Sequence, residues 1–368
     1  MTETQQIFTT GTMRTGTTLV GNILSMHPDI QVFAEKVHFF RFVYQKYSPL
    51  NLANAERALH HIRIRWYYRF GVTFDVDRVM ARLEQERELT PAVLYNAIMT
   101  YLLERTMAKI WTENLAFHWH YIPHFLNMFP NGKVFHVVRD IRGVLASWRE
   151  MTFWPGDLYL NTIFNWIDSV NMMAHYKQTL PADRYMTVRF EDIHADPEGM
   201  SRKLCDFLGV EFAELMIQPE KWEESFDANF VEANVSSHTK KKVYGFNPDR
   251  AHTWKRVLEP WEVTLTETLA AKQMESVGYE PSQTSYDPAD VRLGLDKLAG
   301  DPFLLKCWQL YQATGQGNDF LPNDPTDPKT WSTPDRFGKF ADSPLLQEFE
   351  SDMEAVERHI HAKYGDNQ

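Results

Sequence analysis

Two glycines separate an apolar strand from a helix near the start of this 368-residue chain. The segment Gly11-Thr12-Met13-Arg14-Thr15-Gly16-Thr17-Thr18 has the G-x-x-x-x-G spacing of a phosphate loop. In such a loop, backbone N–H groups and the positive end of the following helix surround a phosphate. Nucleotide kinases place Lys after the second glycine, whereas this chain has Thr17 there and carries its cation, Arg14, inside the loop. The loop predicts an unusual nucleotide phosphate site, or else a strand-to-helix turn that only needs small residues.

A second pair of polar side chains follows another apolar strand. Val134 to Val138 reads as a strand that ends in Arg139, and Ser147 lies on the helix after it. A turn at Asp140 would bring the guanidinium and the hydroxyl to one side, where together they could bind a second phosphate. The alternative is a surface ion pair between Arg139 and Asp140, with Ser147 on a helix face.

A third segment completes a resemblance to the sulfotransferases that use 3′-phosphoadenosine 5′-phosphosulfate (PAPS). The stretch Val188-Arg189-Phe190-Glu191-Asp192-Ile193-His194-Ala195-Asp196-Pro197 is similar to the family's V-R-Y-E-D-L-x-x-D-P, with Phe190 in place of Tyr. The first two segments resemble the family's 5′-phosphosulfate loop and 3′-phosphate-binding segment. The three segments occur in the family's order, and the resemblance spans residues 5 to 280.

The resemblance implies a set of donor-binding residues. The 5′-phosphosulfate is held by five loop residues and the 3′-phosphate by two residues of the second segment: Arg14, Thr15, Gly16, Thr17 and Thr18, then Arg139 and Ser147. Basic residues before the closing helix often complete the 3′-phosphate site in the family. Here the candidates are Ser237, Lys240, Lys241 and Lys242, for which a solvated charge run is the alternative.

The resemblance also implies the reaction and its requirements. A sulfuryl group passes in line from PAPS to a hydroxyl or amine of a small acceptor, leaving 3′,5′-ADP (PAP), with Arg14 stabilising the leaving phosphate. No metal is expected, because the sulfuryl group carries fewer charges than a phosphoryl group. The sequence has no cluster with metal-ligand spacing, and His60, His61, His118 and His120 read as ordinary histidines. The rival functions are a nucleotide-dependent kinase and a non-catalytic nucleotide-binding relative.

The general base has three candidates. Glu35 is the first, because it follows the predicted strand Ile30 to Phe33 and a Glu in the corresponding place serves protein-tyrosine and carbohydrate sulfotransferases. A salt-bridging Glu at a strand end is the alternative. His38 and His118 compete, since cytosolic small-molecule sulfotransferases use a histidine after a Lys-Thr pair. That pair is missing here, and Asn114 stands about where many relatives carry Lys.

The elements that position these residues alternate between strands and helices. This alternation predicts an α/β, three-layer, P-loop-like fold with a central parallel sheet flanked by helices and ligands at the carboxyl ends of its strands. A helical, aromatic-rich insertion spans about residues 39–107, where aromatic side chains could line an acceptor pocket or form core. We divide the chain into a sulfotransferase domain, residues 1–280, and a C-terminal extension, residues 281–368, that packs on or covers it.

Composition limits the partners. A net charge of −11 argues against nucleic acid and anionic polysaccharides and favours a neutral or cationic small-molecule acceptor. Cys205 and Cys307 lie far apart, which suggests neither a disulfide framework nor a cysteine zinc site. The N-terminus has no signal-like segment and no apolar run could span a membrane, so a cytoplasmic protein is expected, unlike the anchored Golgi type. A homodimer is one option for the assembly.

Overall fold

The computed structural model describes residues 4–34, 37–71, 73–104, 106–150, 155–224, 245–318, 324, 326–328 and 345–365. Five strands in these ranges form a single sheet with the order β2-β3-β1-β4-β5. All neighbouring pairs are parallel. The strands are β1 (Gln5–Gly11), β2 (Ile30–Ala34), β3 (Ile110–Ala116), β4 (Lys133–Val138) and β5 (Tyr185–Arg189). The predicted α/β class with a central parallel sheet is confirmed. The strand that precedes the phosphate loop, β1, is the middle strand of the sheet.

Fifteen α-helices surround the sheet within the described residues. They are α1 (Thr17–Ser25), α2 (Phe39–Phe42), α3 (Leu52–Phe70), α4 (Val76–Leu83), α5 (Pro91–Leu103), α6 (Ile122–Met128), α7 (Ile141–Arg149), α8 (Thr162–Thr179), α9 (Phe190–Ala195), α10 (Pro197–Leu208), α11 (Trp254–Val257), α12 (Pro260–Ser276), α13 (Pro288–Gly300), α14 (Pro302–Thr314) and α15 (Leu345–Tyr364). Several begin at residues that favour helix starts: Thr90 and Asp196 accept a hydrogen bond from a first-turn amide, and Pro91 and Pro197 follow them.

Two hydrophobic clusters cover the two faces of the sheet and produce the three layers. Ile7 and Phe8 are adjacent on β1 and fully buried, but they point to opposite faces. Ile7 packs in the cluster with α1 and α10, where Val20 and Leu204 lie. Phe8 packs in the larger cluster, which includes Trp111 and most of the remaining helices.

The insertion at residues 39–107 is helical as expected and consists of α2 to α5. Its aromatic side chains are mainly core, since Phe39, Phe40 and Phe42 are almost completely buried. Beyond residue 280, α13 packs against α12, and α15 packs along α3 of the insertion. Val356 and Ile360 of α15 belong to the same core as Leu59 of α3. The domain boundary at residue 280 stays a prediction.

Candidate nucleotide site and reaction centre

The phosphate loop connects β1 to α1 at the carboxyl edge of the sheet. Thr15 folds the loop back on itself, because its hydroxyl donates to the carbonyl of Thr12 at 2.7 Å and its amide donates to the same oxygen at 3.2 Å. Arg14 and Gly16 both have positive φ, 72° and 103°. A Cβ on Gly16 would lie 2.5 Å from the ring of Phe190, so glycine is required both by the backbone and by this contact.

The N-terminus of α1 opens into the loop without a side-chain cap. Gly16 is the N-cap residue, and no side chain among the described residues caps the helix there. The first-turn amides of Thr17 and Thr18, together with the positive end of the helix, therefore favour an anion, as the glycine spacing predicted.

Three arginines come together beside the loop. Arg14 Nε donates to Ser147 Oγ at 2.8 Å, which joins the loop to α7. The guanidinium of Arg139 donates to the carbonyl oxygens of Arg14, at 3.2 Å, and Arg250, at 3.3 Å. Burial lowers the pKa of all three arginines, and the charge of Arg250 lowers the pKa of Arg14 and Arg139 further. The structure thus brings the predicted residues Arg14, Arg139 and Ser147 into one electropositive cluster.

Arg139 is a buried cation without a carboxylate partner among the described residues. Its side chain is 9% exposed, its Nε has no hydrogen-bond partner there, and it stacks over Phe190 at 4.4 Å. Burial lowers its pKa to about 10, which nearby Glu191 opposes. The oxygens of Glu191 accept hydrogen bonds from the amide of Asp140 and the hydroxyl of Tyr279 instead. Such a guanidinium can hold an anionic ligand.

Arg139 and Asp140 do not form the surface pair considered as the alternative. Asp140 caps α7 and pairs with Arg142 at 2.6 Å, and all three residues are buried. Arg250 is a member of the cluster that the sequence did not reveal, although it lies before the closing helix α12, where basic residues were expected. The residues chosen there, Ser237, Lys240, Lys241 and Lys242, lie outside the described residues, as does Glu35.

Two of the three candidate bases lie in the described part of the carboxyl edge. The amide of Phe117 donates to Gly11 O at 3.0 Å, and that of His118 donates to Thr10 Oγ1 at 3.2 Å, so His118 lies beside the start of the loop. His118 Nδ1 lies 2.5 Å from the carbonyl of Ala116, which can only accept. Nδ1 therefore carries the proton in the neutral ring and Nε2 is basic. The ring of His38 lies 6.3 Å from that of His118.

A buried carboxylate that sequence analysis missed holds the backbone around His38. Glu113 is fully buried on β3. Its Oε1 accepts from the amides of Val37 at 2.7 Å and His38 at 2.5 Å, and its Oε2 accepts from the Phe39 amide and, at 2.8 Å, from the Tyr95 hydroxyl. Burial raises the pKa of Glu113, and these four donors oppose the rise. Glu113 thereby fixes the backbone of residues 37–39.

Asn114, the residue that stands in for a lysine, contacts the backbone of the helix after the loop. Its Nδ2 donates to Thr17 O at 3.1 Å, and a Cβ on Gly21 would lie 2.2 Å from that nitrogen. Asn114 is therefore packed against α1, and its short side chain carries no charge toward the leaving group.

The model of the sulfotransferase family matches residues 6–214, a range that contains the loop, Arg139, Ser147 and Phe190. The chain belongs to the sulfotransferase family. The resemblance seen in the three sequence segments is confirmed by this match. The family and its named relatives support a transferase that moves a sulfuryl group.

Relatives of this sulfotransferase include two curated proteins and a solved domain. The protein-tyrosine sulfotransferase of Drosophila melanogaster is 25% identical over 234 residues, which cover 59% of this chain and 40% of the fly protein. Protein-tyrosine sulfotransferase 1 of Danio rerio is 25% identical over 285 residues, 75% of this chain and 72% of the fish protein. The sulfotransferase domain of the Synechococcus olefin synthase superposes with a TM-score of 0.52 at 21% identity, covering 75% of this chain and 95% of the domain, and shows the same fold.

These relatives contradict the prediction of a cytoplasmic location, because they are protein-tyrosine sulfotransferases and not the cytosolic kind. The prediction depended on the N-terminal segment of the chain. The match to the fly protein covers only two fifths of that protein's length. No helix in the described ranges has the length and apolar character needed to cross a membrane.

Proposed function

We propose that this sulfotransferase transfers a sulfuryl group from PAPS to an acceptor hydroxyl or amine and releases PAP. The observation that carries the proposal is the cluster of Arg14, Arg139 and Arg250 in a chain of net charge −11. None of these three is paired with a carboxylate in the described ranges, and the buried Arg139 keeps an unpartnered Nε. Unpaired buried cations are unfavourable on their own, and a ligand with two separate phosphate groups would compensate for them.

The residues divide between the two ends of the nucleotide. The N-terminus of α1, with Thr17 and Thr18, suits the 5′-phosphosulfate, because a helix N-terminus attracts an anion. Arg139 and Ser147 suit the 3′-phosphate, and Arg250 adds a further positive charge beside them. Arg14 belongs to the loop and donates a hydrogen bond to Ser147, so it links the two phosphate sites. Ser237, Lys240 and Lys241 stay predicted contributors to the 3′-phosphate site.

Bound PAPS supplies a sulfuryl group whose bond to the 5′-phosphate oxygen breaks, with the electron pair left on that oxygen, as the bond to the acceptor forms. The chain's residues contribute charge stabilisation and alignment, which dominate in transfers of this type. Arg14 and the amides of α1 stabilise the negative charge that develops on the leaving phosphate. No step requires a metal ion, since these cationic groups neutralise the donor.

A base must remove the proton from the acceptor as it attacks. Glu35 stays the first candidate, and His38 and His118 are the alternatives. His118 is favoured among the histidines by the hydrogen bond that leaves its Nε2 basic. Replacing the base with Gln should lower kcat by about 10²- to 10⁴-fold and leave PAP affinity unchanged. Single-turnover rates of Glu35→Gln, His38→Gln and His118→Gln identify the base as the residue whose replacement slows transfer. Wild-type rates in all three variants would exclude these residues as the base.

Two acceptor classes compete. The sequence favours a neutral or cationic small molecule, whereas the names of the relatives favour a tyrosine of a protein. We propose a phenolic hydroxyl as the chemistry common to both. Transfer to a tyrosine-containing peptide, a free small phenol and a small amine can be compared with radiolabelled donor. Faster transfer to the peptide would replace the small-molecule expectation.

The nucleotide assignment is tested by thermal stabilisation with PAP, 5′-ADP and ATP. At about a hundred times its Kd, a ligand adds about 2.7 kcal/mol to the free energy of unfolding. We expect stabilisation that requires the 3′-phosphate and falls to about 1.4 kcal/mol or less in Arg139→Ala at the same PAP concentration. Arg202→Ala, which removes a half-exposed arginine of α10, is the matched control and should respond as the wild type. Stabilisation by ATP alone would support the kinase instead, and PAP binding without any transfer would support a non-catalytic relative.

A further inference from the structure

A second cluster of polar side chains lies far from the nucleotide site, where α15 packs along α3. Glu56 and His60 are one turn apart on α3, and His359 reaches them from α15 across 303 residues of sequence. Glu56 is fully buried, His60 is 12% exposed and His359 is about half exposed. Neither histidine belongs to the donor site or to the candidate bases.

The three side chains present one nitrogen or oxygen atom each to a common point. Glu56 Oε1 lies 2.7 Å from His359 Nε2 and 3.8 Å from His60 Nε2. All three atoms lie within 4.8 Å of one another. Ligand atoms around a tetrahedral ion with bonds near 2.1 Å are about 3.4 Å apart. The observed separations bracket this spacing, so small side-chain rotations would suffice.

The imidazole of His60 lacks the partners that a buried ring normally has. Both of its ring nitrogens are buried, and no described residue hydrogen-bonds to either. Its Nε2 lies 3.8 Å from Glu56 Oε1, and as a neutral imidazole nitrogen it can act as a metal ligand. Unpartnered buried polar atoms are rare and call for an explanation.

The other carboxylate oxygen of Glu56 is already occupied and orients the group. Lys363 Nζ donates to Oε2 at 2.7 Å and the Tyr364 hydroxyl donates to it at 2.6 Å. Oε1 is thereby turned toward the two histidines. Hydrogen bonds of this kind, from groups that do not touch the ion, fix the ligands of many metal sites.

We propose that Glu56 Oε1, His60 Nε2 and His359 Nε2 bind a divalent transition-metal ion, with Zn²⁺ the best fit. Two imidazoles and a carboxylate are a ligand set that suits Zn²⁺ and leaves one position for water. The ion replaces the proton between Glu56 and His359 and joins the C-terminal helix to α3.

The site is tested by adding Co²⁺, a spectroscopic substitute for Zn²⁺, to the full chain after dialysis against a chelator. We expect one Co²⁺ ion to bind per chain, with saturation, and to give the visible absorption bands of a four- or five-coordinate ion. Adding Zn²⁺ should displace the Co²⁺ and remove these bands. His60→Ala and His359→Ala should each weaken binding by at least about 100-fold. His361→Ala is the matched control, because His361 is exposed on the same helix but on another face, and it should bind as the wild type.

A further variant tests the hydrogen bonds that orient the carboxylate. Lys363→Met removes one of the two donors to Glu56 Oε2 and should weaken Co²⁺ binding by about tenfold or more. Circular dichroism confirms that each variant is folded. The proposal is overturned if folded wild type shows no saturable Co²⁺ or Zn²⁺ binding at micromolar concentrations. It is also overturned if the two histidine variants bind with wild-type affinity.

Discussion

Arg139 and Arg142 lie three residues apart in the chain, both are buried, and their surroundings differ completely. Arg142 donates to Asp140 and, at 2.5 Å, to Glu267, and these carboxylates raise its pKa against the effect of burial. Within the described residues Arg139 donates to carbonyl oxygens and to no carboxylate, and burial lowers its pKa to about 10. A guanidinium whose charge the fold neutralises supports structure, whereas we propose that one left without a carboxylate binds a ligand. The region around Arg142 should therefore govern stability and the region around Arg139 should govern binding.

Glu267→Ala should give the largest loss of stability, because it leaves the buried Arg142 with half of its compensating charge. Glu267 also accepts from the amide of Ser282 and the hydroxyl of Tyr286. Breaking one side of a buried pair costs about 3–5 kcal/mol. Urea unfolding measures the loss, and the exposed pair Glu198–Arg202 gives the control, where Glu198→Ala should cost less than about 1 kcal/mol. Equal losses in the two variants would contradict the distinction.

Glu113→Gln tests a buried carboxyl group at the edge of the sheet where we propose that the reaction occurs. The amide nitrogen of Gln would face N–H or O–H donors that now bond to a carboxylate, which should cost about 2–3 kcal/mol. Since Glu113 holds the backbone of residues 37–39, transfer should slow more than stability alone explains, while PAP affinity stays within about twofold. Single-turnover rates well below the melting temperature show the effect. Glu113→Asp should restore part of the rate, and an unaltered rate in Glu113→Gln would exclude a positioning role.

His136 is a buried titratable group that stays neutral, in contrast to the two buried arginines. Its nitrogens bond to Tyr185 and Ser169, and burial lowers its pKa to about 3. The unfolded state takes up the proton near pH 6.5, so stability is complete above that pH and falls as the pH drops from 6.5 toward 3. The slope from this one group rises to about 1.4 kcal/mol per pH unit once the pH is well below 6.5. Between pH 7 and pH 5 the free energy of unfolding, measured with urea, should fall by about 2 kcal/mol less in His136→Gln than in the wild type, and an identical fall would contradict the assignment.

Arg139→Met should change stability least and binding most. Removing a buried charge that lacks a carboxylate should leave the free energy of unfolding within about 1 kcal/mol or raise it. PAP affinity should fall by about 10- to 150-fold, the equivalent of one charged hydrogen-bonding group. Calorimetric titration and urea unfolding of the same sample give both values. A large loss of stability with unchanged affinity would reverse the roles assigned to the two arginines.

The parts of the site that could be predicted are local in sequence. The loop glycines, Arg139 and Ser147 stand at fixed offsets from apolar strands, and such offsets are visible in a single chain. Arg250 and Glu113 were missed because only tertiary packing shows that the first lies beside Arg14 and that the second is enclosed by backbone amides.

The fold was predictable where a short apolar run is followed by turn residues, as at β4, which is buried almost throughout. The helix α8 was not foreseen, because it buries polar residues such as Asn165 and Asp168 together with its apolar ones and so has no amphipathic pattern. The pairing of α3 with α15 was invisible for a different reason. Its contacts join residues about 300 positions apart, such as His60 and His359, and no short sequence window contains both.

The packing of α15 along α3 also bears on synthesis. At about 5–20 residues per second, roughly 15–60 s pass between the emergence of α3 and that of its partner helix. During that interval the apolar face around Leu59 lacks Val356 and Ile360, and the buried carboxylate of Glu56 lacks Lys363 and Tyr364. We expect ribosome-bound chains ending near residue 340 to be cut within α3 by proteases that spare the released protein. A helix made about 300 residues later would then be the one that completes the packing of α3.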